Sequence, residues 1–175
     1  AKEKKILNGS AGRPNLEKIS QLLKNENYTY AVISGENFEG AKAEVVKKGM
    51  QKFMLPHVDD HTVICYVRPH AARILSNFAE NSKIGYFSGT LAEFLQRSRT
   101  KGRFRYIDVL APWIAEFGDR FIAGPMVRDV LCNGSLLDDF TNYAFPEAEV
   151  RVQEIKAANE SLSLEDLVFL RCIQG

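Results

Sequence analysis

The stretch 62–81, TVICYVRPHAARILSNFAEN, determines the fold that we expect, because its hydrophobic pattern changes period at Arg68. Its first part, Thr62–Val67, is an almost continuous apolar run, which is typical of a strand covered on both faces in a parallel sheet. The second part places apolar side chains at helical spacing, namely Ala71, Ile74, Leu75 and Phe78. The stretch therefore predicts a strand that leads through a short connection into a helix.

The flanking sequence alternates in the same way. Tyr28–Ser34 (YTYAVIS) and Phe121–Ala123 are short, aromatic and β-branched, so they predict two further strands. Helical spacing of apolar residues predicts helices at Asn15–Lys24, Gly40–Met54, Leu91–Leu95, Tyr106–Phe117, Leu136–Tyr143 and Ser163–Ile173. Strands that alternate with helices indicate an α/β fold with a parallel sheet.

Three local signals refine the helix boundaries. Thr90-Leu-Ala-Glu93 has the pattern of a capping box, in which the two side chains satisfy free backbone N–H groups. Gly118 is placed to end the preceding helix in a left-handed conformation. Pro112 lies inside that helix, so we expect a kink or a restart there.

The composition of the chain limits the classes of protein to which it can belong. The chain has 175 residues, 45% of them hydrophobic and 26% charged, which suits a single globular domain spanning residues 1–175. The formal net charge of +1 gives no overall attraction to nucleic acid, and no apolar run reaches the roughly 20 residues of a membrane span. The scattered cysteines, Cys65, Cys132 and Cys172, favour a reducing compartment, so we expect a cytoplasmic protein.

Arg68 and Ser76 are the first candidates for a binding site. Ligands of open parallel sheets bind beyond the carboxyl ends of the strands, where Arg68 is expected to lie. A guanidinium beside the free N–H groups of a helix start makes an anion site, and Ser76 could add a hydrogen bond from two turns further on. The alternative is an arginine that caps a sheet edge and a serine that faces solvent.

The segment YVRPHAARILSNFAEN (66–81) resembles the 3′-phosphate-binding segment of the sulfotransferase superfamily. Five further blocks resemble a bacterial sulfotransferase-like family, in the same order: VISGENF (32–38), YFSGTLAEFL (86–95), RYIDVLAPWIAEFGDRFIAGPMVRDVL (105–131), LLDDFTNYAF (136–145) and ANESLSLEDLVFLR (158–171). Ala123-Gly124 stands where the family has a larger polar pair.

The resemblance implies a three-layer, P-loop-like, doubly wound parallel sheet with helices on both faces. It implies that Arg68 and Ser76 bind the 3′-phosphate of the donor PAPS, 3′-phosphoadenosine 5′-phosphosulfate, and that no metal is needed. The activity expected is sulfuryl transfer to a hydroxyl acceptor, with carbohydrates among the candidates. The alternatives are a degenerate domain that binds a nucleotide or a partner without catalysis, and another nucleotide-dependent transferase such as a glycosyltransferase.

One element of the family pattern is missing from the sequence. The first strand should lead into a Lys-(Ser/Thr)-Gly-Thr loop that holds the 5′-phosphosulfate, and the chain has no such segment. Asn8–Gly12 (NGSAG) is rich in glycine and precedes a helix, but no lysine follows it, and an ordinary loop is the favoured interpretation. We therefore expect a domain that is incomplete at its N-terminus, and we consider that it could also be incomplete at its C-terminus.

The remaining candidates concern catalysis and the acceptor. Glu36 follows a predicted strand and is the candidate base for the acceptor hydroxyl, although it could instead stabilise the next helix through its dipole. Lys83 and Tyr86 are candidate acceptor contacts. Arg103 and Arg105 belong to an alternating basic run that could attract an acidic acceptor or the nucleotide, and that could equally be a solvated loop.

The histidines have weaker functional interpretations. His70 lies beside Arg68 and could touch the nucleotide, but a solvent-exposed histidine in a first helical turn is favoured. His57 and His61 flank a pair of aspartates, Asp59 and Asp60, and such a group could be drawn as a metal site. A solvated turn is favoured here, so no metal ligand is assigned.

Overall fold

The predicted strand at the centre of the chain is confirmed, and it runs directly into the site. In this computed structural model, which describes residues 13–25, 29–35, 38, 40–102, 104–148, 150, 169 and 172, β1 spans Val63–Val67. It pairs in parallel with β2, Phe121–Pro125. The Met126 N–H donates to the Val67 carbonyl at 2.8 Å, which extends the pairing as far as the residue before Arg68.

The helices also follow the sequence pattern. Of the apolar residues that predicted them, Ile74, Phe78, Phe94 and Phe117 are buried, whereas Val45, Ile107 and Ile114 are exposed. The helices are α1 Arg13–Asn25, α2 Ala43–Phe53, α3 His70–Lys83, α4 Leu91–Thr100, α5 Tyr106–Phe117 and α6 Leu136–Ala144. Short 3₁₀ turns occupy 55–57, 118–120, 128–130 and 132–134. Of the predicted helix 163–173, only Phe169 and Cys172 are among the described residues, and both are helical.

The predicted three-layer doubly wound sheet is wrong. Over the described residues the chain is mostly helical, and β1 and β2 are its only strands. Residues 29–34, the described part of the predicted strand Tyr28–Ser34, do not form a strand, and Val32 and Ile33 are exposed. Their aromatic and β-branched composition suits a half-buried pleated surface, but strand preference depends on burial as well as on composition, and these side chains are exposed.

The chain divides into two compact units, and β1, β2 and α5 each contribute to both. The first contains the described residues up to Cys65 together with Ile107–Ile122. Its core is built by Ala43 of α2 with Trp113 and Phe117 of α5. Lys47 forms an ion pair with Glu116 at 3.3 Å, which joins α2 to α5 at the edge of this core.

The second unit contains Tyr66–Tyr106 and the described residues from Ala123 onward, and it carries the candidate site. Its core is formed by Ile74 and Phe78 of α3 against Phe94 of α4. The Phe78 and Phe94 rings meet edge to face with centroids 5.6 Å apart, a favoured aromatic geometry. These contacts fix α3 in rotation about its axis, and therefore fix which of its side chains face outward.

The local boundary signals are confirmed in part. The capping box at the start of α4 is complete: Glu93 N–H donates to the Thr90 hydroxyl at 3.3 Å, and Thr90 N–H donates to the Glu93 carboxylate at 2.6 Å. Gly118 has the expected positive φ of 55° after α5. The prediction of a restart at Pro112 is wrong, because α5 runs through it as one helix.

A hydrogen-bond network ties β1 to α6 within the second unit. The Tyr66 hydroxyl donates to Asp139 at 2.7 Å, and the other oxygen of that carboxylate accepts the Cys132 N–H at 3.0 Å. Burial, reinforced by the hydrogen bond to the carboxylate, raises the pKa of the Tyr66 hydroxyl. Gly124 allows β2 to pass close to the Tyr66 ring, since a Cβ there would lie 3.3 Å from a ring carbon.

Within the part of the chain that the structure describes, none of the helices is both long and apolar enough to cross a bilayer. The longest of the six, α3, has 14 residues and carries charged side chains along its length. A membrane-spanning helix needs roughly 20 predominantly apolar residues.

Replacing Thr90 by alanine should lower the unfolding free energy by about 1 kcal/mol, because the N-cap acceptor at the start of α4 is lost. Glu93→Gln should cost less, since an amide oxygen still accepts the Thr90 N–H. Urea denaturation followed by circular dichroism measures both. Equal stability of the Thr90→Ala variant and the parent would show that the capping box contributes nothing.

Stability should fall as the pH rises above about 10, the ordinary pKa of tyrosine. There the unfolded chain releases the Tyr66 proton while the folded chain retains it, so unfolding becomes more favourable with increasing pH. The stabilisation is complete below that pH and is lost above it. We expect a shallower fall in Tyr66→Phe than in the parent between about pH 9 and about pH 11, measured by urea denaturation. Identical slopes of unfolding free energy against pH in the two proteins would contradict a raised pKa of Tyr66.

Candidate functional site

The two residues chosen from the sequence as an anion site lie together. Arg68 follows β1 directly and is exposed, and Ser76 lies in the second turn of α3. The Arg68 guanidinium donates to the Ser76 hydroxyl oxygen at 3.1 Å. The spacing of eight residues therefore produces a contact, because the chain turns back at Pro69 and α3 carries Ser76 alongside the strand end.

The start of α3 adds backbone donors to this pair. Pro69 is the N-cap residue and forms no side-chain capping hydrogen bond, so the first-turn N–H groups of α3 have no side-chain cap. The Arg73 N–H donates to the Pro69 carbonyl at 2.9 Å, which starts the helical ladder. The positive end of the helix dipole thus lies at the residues that follow Arg68, and the dipole and the guanidinium both favour an anion.

An aromatic cluster holds the strand end in place. The Tyr106 hydroxyl donates to the Arg68 carbonyl at 2.6 Å, and the His70 ring lies against the Tyr106 ring with centroids 4.4 Å apart. His70 Nε2 lies 2.7 Å from the Phe104 carbonyl, to which it donates in the tautomer that carries the proton there. The Arg73 guanidinium lies 5.2 Å from the Tyr106 ring centre. His70 is exposed as expected, but it is fixed by its neighbours.

The other candidates that the structure describes, Lys83, Tyr86 and Arg105, do not join this group. Lys83 ends α3, seven residues beyond Ser76, which corresponds to about 10 Å along the helix axis. Tyr86 follows in the next turn and is 77% exposed. Both therefore lie toward the opposite end of α3 from Arg68. Glu36 and Arg103 lie outside the described residues.

Arg105 instead lines a groove on another side of α3. This groove has a volume of about 660 Å³ and lies between α3, α4 and the segment that precedes α5. Its apolar lining comes from Ala71, Ile74, Leu75, Leu91, Leu95 and Phe104. Arg99, Arg105 and His70 supply its charged and polar groups. His70 thus borders both the groove and the strand end.

Three of the four residues that suggested a metal site, His57, Asp60 and His61, make other contacts. Asp60 forms an ion pair with Arg120, which also donates to the His61 carbonyl at 3.2 Å. His57 Nε2 lies 3.1 Å from the Ser20 hydroxyl. In the described ranges no group of three or more potential metal ligands occurs.

Four residues of the site and of the neighbouring groove were not identified from the sequence. Tyr106 and Phe104 contact the residues around the start of α3 across 38 and 34 residues of sequence, and no local sequence pattern predicts that contact. Arg73 had a signal, because it lies three residues from both His70 and Ser76 and so shares one side of α3 with them. Arg99 had a weaker signal, as a member of the basic run between 97 and 105.

The candidate site therefore consists of an exposed guanidinium, a hydroxyl and an uncapped helix start, and each of these groups favours an anion. The guanidinium comes from the residue that follows β1, and the hydroxyl and the helix start come from α3, while the first residue of α5, Tyr106, holds the Arg68 carbonyl. Comparison of the chain with protein-family models, with curated proteins and with solved structures finds no match.

Proposed function

We propose that the chain binds the 3′-phosphate of an adenosine 3′,5′-bisphosphate nucleotide at Arg68, Ser76 and the start of α3, and that it serves PAPS-dependent sulfuryl transfer to a hydroxyl acceptor. One observation carries the proposal: the Arg68 guanidinium, directly after β1, lies 3.1 Å from the Ser76 hydroxyl in the second turn of a helix that has no side-chain cap. The resemblance of residues 66–81 to a 3′-phosphate-binding segment supplies the identity of the anion.

The residues present suit a phosphate. Arg68 is exposed, and the described residues offer its guanidinium the neutral Ser76 hydroxyl and no carboxylate, so most of its donors remain available. Ser76 accepts from Arg68 with its oxygen, which leaves its own proton for a ligand oxygen. A planar guanidinium can hold two phosphate oxygens at once, and the helix dipole adds a favourable field.

Positioning of Arg68 supports the same function. The Tyr106 hydroxyl binds the Arg68 carbonyl at 2.6 Å, and Tyr106 is itself packed against His70. The backbone that carries the guanidinium is therefore restrained before any ligand arrives, which lowers the ordering cost of binding. The side chain itself remains exposed, so the expected contribution of each contact is modest.

The catalytic part of the proposal rests on the resemblance alone. Glu36 is the candidate base that would accept the proton of the acceptor hydroxyl. Arg105, with Arg103 beside it in the sequence, is the candidate contact for an acidic acceptor such as an anionic sugar. A domain that binds the nucleotide without catalysing a reaction would need only Arg68, Ser76 and α3. An assay of sulfuryl transfer distinguishes this alternative from an enzyme.

Arg68→Ala should weaken binding of adenosine 3′,5′-bisphosphate by about 1.5 kcal/mol, at the lower end for a charged hydrogen bond because the site is exposed. Ser76→Ala should cost about 1 kcal/mol, the value for an ordinary hydrogen bond. Isothermal titration calorimetry measures both. Arg97→Ala is the matched control, since it removes an exposed arginine of the same unit that lies over the Phe87 ring.

Adenosine 5′-monophosphate separates recognition of the 3′-phosphate from general affinity for nucleotides. It should bind the parent more weakly than the bisphosphate, and Arg68→Ala should remove most of that difference. Equal affinity of the two nucleotides for the parent protein would rule out the assignment of the 3′-phosphate to Arg68.

Glu36→Gln should lower sulfuryl transfer by about 10²-fold or more while nucleotide affinity stays nearly unchanged, because a general base is lost and the phosphate contacts remain. The measurement is transfer of labelled sulfate from PAPS to a panel of sugars. Glu80→Gln, an exposed carboxylate of α3, is the control and should keep full activity. Nucleotide binding without transfer by the parent would favour the non-catalytic alternative.

A further inference from the structure

The groove beside α3 has a composition that the nucleotide site does not explain. Its floor contains Ile74, which is buried in the core of the second unit, and its wall contains Leu75, which is 54% exposed. Leu91, on the opposite side at the start of α4, is also exposed. Exposed leucines that line a concave surface are hydrophobic area that a ligand could cover.

The charged groups of the groove are all potential cations. Arg99 lies in the last turn of α4, and Arg105 lies five residues beyond its end. The Arg99 side chain has no ion-pair partner among the described residues. No aspartate or glutamate lines the groove, so its potential favours a negative group next to the apolar wall.

We propose that this groove binds a small amphipathic anion, with an apolar chain or ring system against Ile74, Leu75 and Leu91 and one carboxylate or sulfate headgroup at Arg99 and Arg105. The volume of about 660 Å³ lies within the range of roughly 300–1,000 Å³ typical of small-molecule sites.

The site is separate from the one proposed for the nucleotide. Along α3, Ser76 and Arg73 lie on one side of the helix, while Ala71, Ile74 and Leu75 lie on the side that faces the groove. His70 borders both sites, and its ring nitrogen is occupied by the Phe104 carbonyl. The inference does not rest on the proposed function, and the two can fail independently.

The first experiment is calorimetric titration of the full chain with octanoate below its micellar concentration. Octanoate should bind with a stoichiometry of one. Acetate, which has the charge without the chain, should show no detectable binding. Neutral 1-octanol should bind at least about threefold more weakly than octanoate, because it lacks the attraction to Arg99 and Arg105.

Two pairs of variants locate the ligand. Arg99→Gln should weaken octanoate binding about three- to fivefold, the scale of an ion pair that water reaches, and Arg97→Gln on the same helix should leave it unchanged. Leu75→Glu should weaken binding about tenfold or more by placing a carboxylate on the apolar wall. Leu137→Glu, at a similarly exposed leucine of α6, should have no effect.

Both leucine positions are at least half exposed, so the substitutions are compatible with folding, and circular dichroism confirms this for each variant. Arg68→Ala should leave octanoate affinity unchanged, which distinguishes failure at the groove from failure at the nucleotide site. Equal weakening by Arg97→Gln and Arg99→Gln would overturn the proposal. Attachment to phosphatidylglycerol vesicles without one-to-one binding of octanoate would also overturn it, in favour of a lipid surface.

Discussion

Packing of Ile74 and Phe78 against Phe94 is the constraint on which the second unit depends. Ile74 and Phe78 are the buried apolar side chains of α3, and their contact with α4 sets the rotation of α3 about its own axis. Once that rotation is fixed, Ser76 has to lie beside the strand end and Leu75 has to line the groove. A hydrophobic contact with no chemical role thereby determines both candidate sites.

The aromatic cluster at the start of α3 restrains the backbone of a single residue, Arg68. His70 lies against Tyr106 at one side, and Tyr106 holds the carbonyl of Arg68. The ring of His70 and the hydroxyl of Tyr106 therefore both contact other residues of the protein, while the Arg68 side chain remains exposed. Restraining the backbone and leaving the guanidinium exposed suits recognition of a ligand that arrives from solvent.

The features predicted correctly from the sequence are those that depend on residues only a few positions apart. Helical spacing located α1 to α6, and the capping box at Thr90 was visible as a pair of residue types three positions apart. The spacing of Arg68 and Ser76 placed them together, because one strand end and one helix decide that distance. The sheet was mispredicted because Tyr30 to Ile33 looks like a strand in isolation, and whether a strand finds a partner is decided elsewhere in the chain.

The same distinction applies to the groove and to Tyr106. Arg99 and Leu75 are 24 residues apart, and their meeting depends on how α3 and α4 pack. Neither residue type nor local spacing carries that information, so the basic run between 97 and 105 could be interpreted only as a solvated loop or as an attractive rim. The structure shows that part of this run faces an apolar wall.

Trp113 has a consequence for how the protein can be observed. It is the only tryptophan in the chain, and it is stacked against Phe117 and Phe121 within the first unit. Its intrinsic fluorescence is therefore an optical probe of the first unit, whereas Arg68, Ser76 and the groove belong to the second. Loss of tryptophan signal and loss of helical ellipticity at different urea concentrations would reveal that the two halves melt as separate cooperative units.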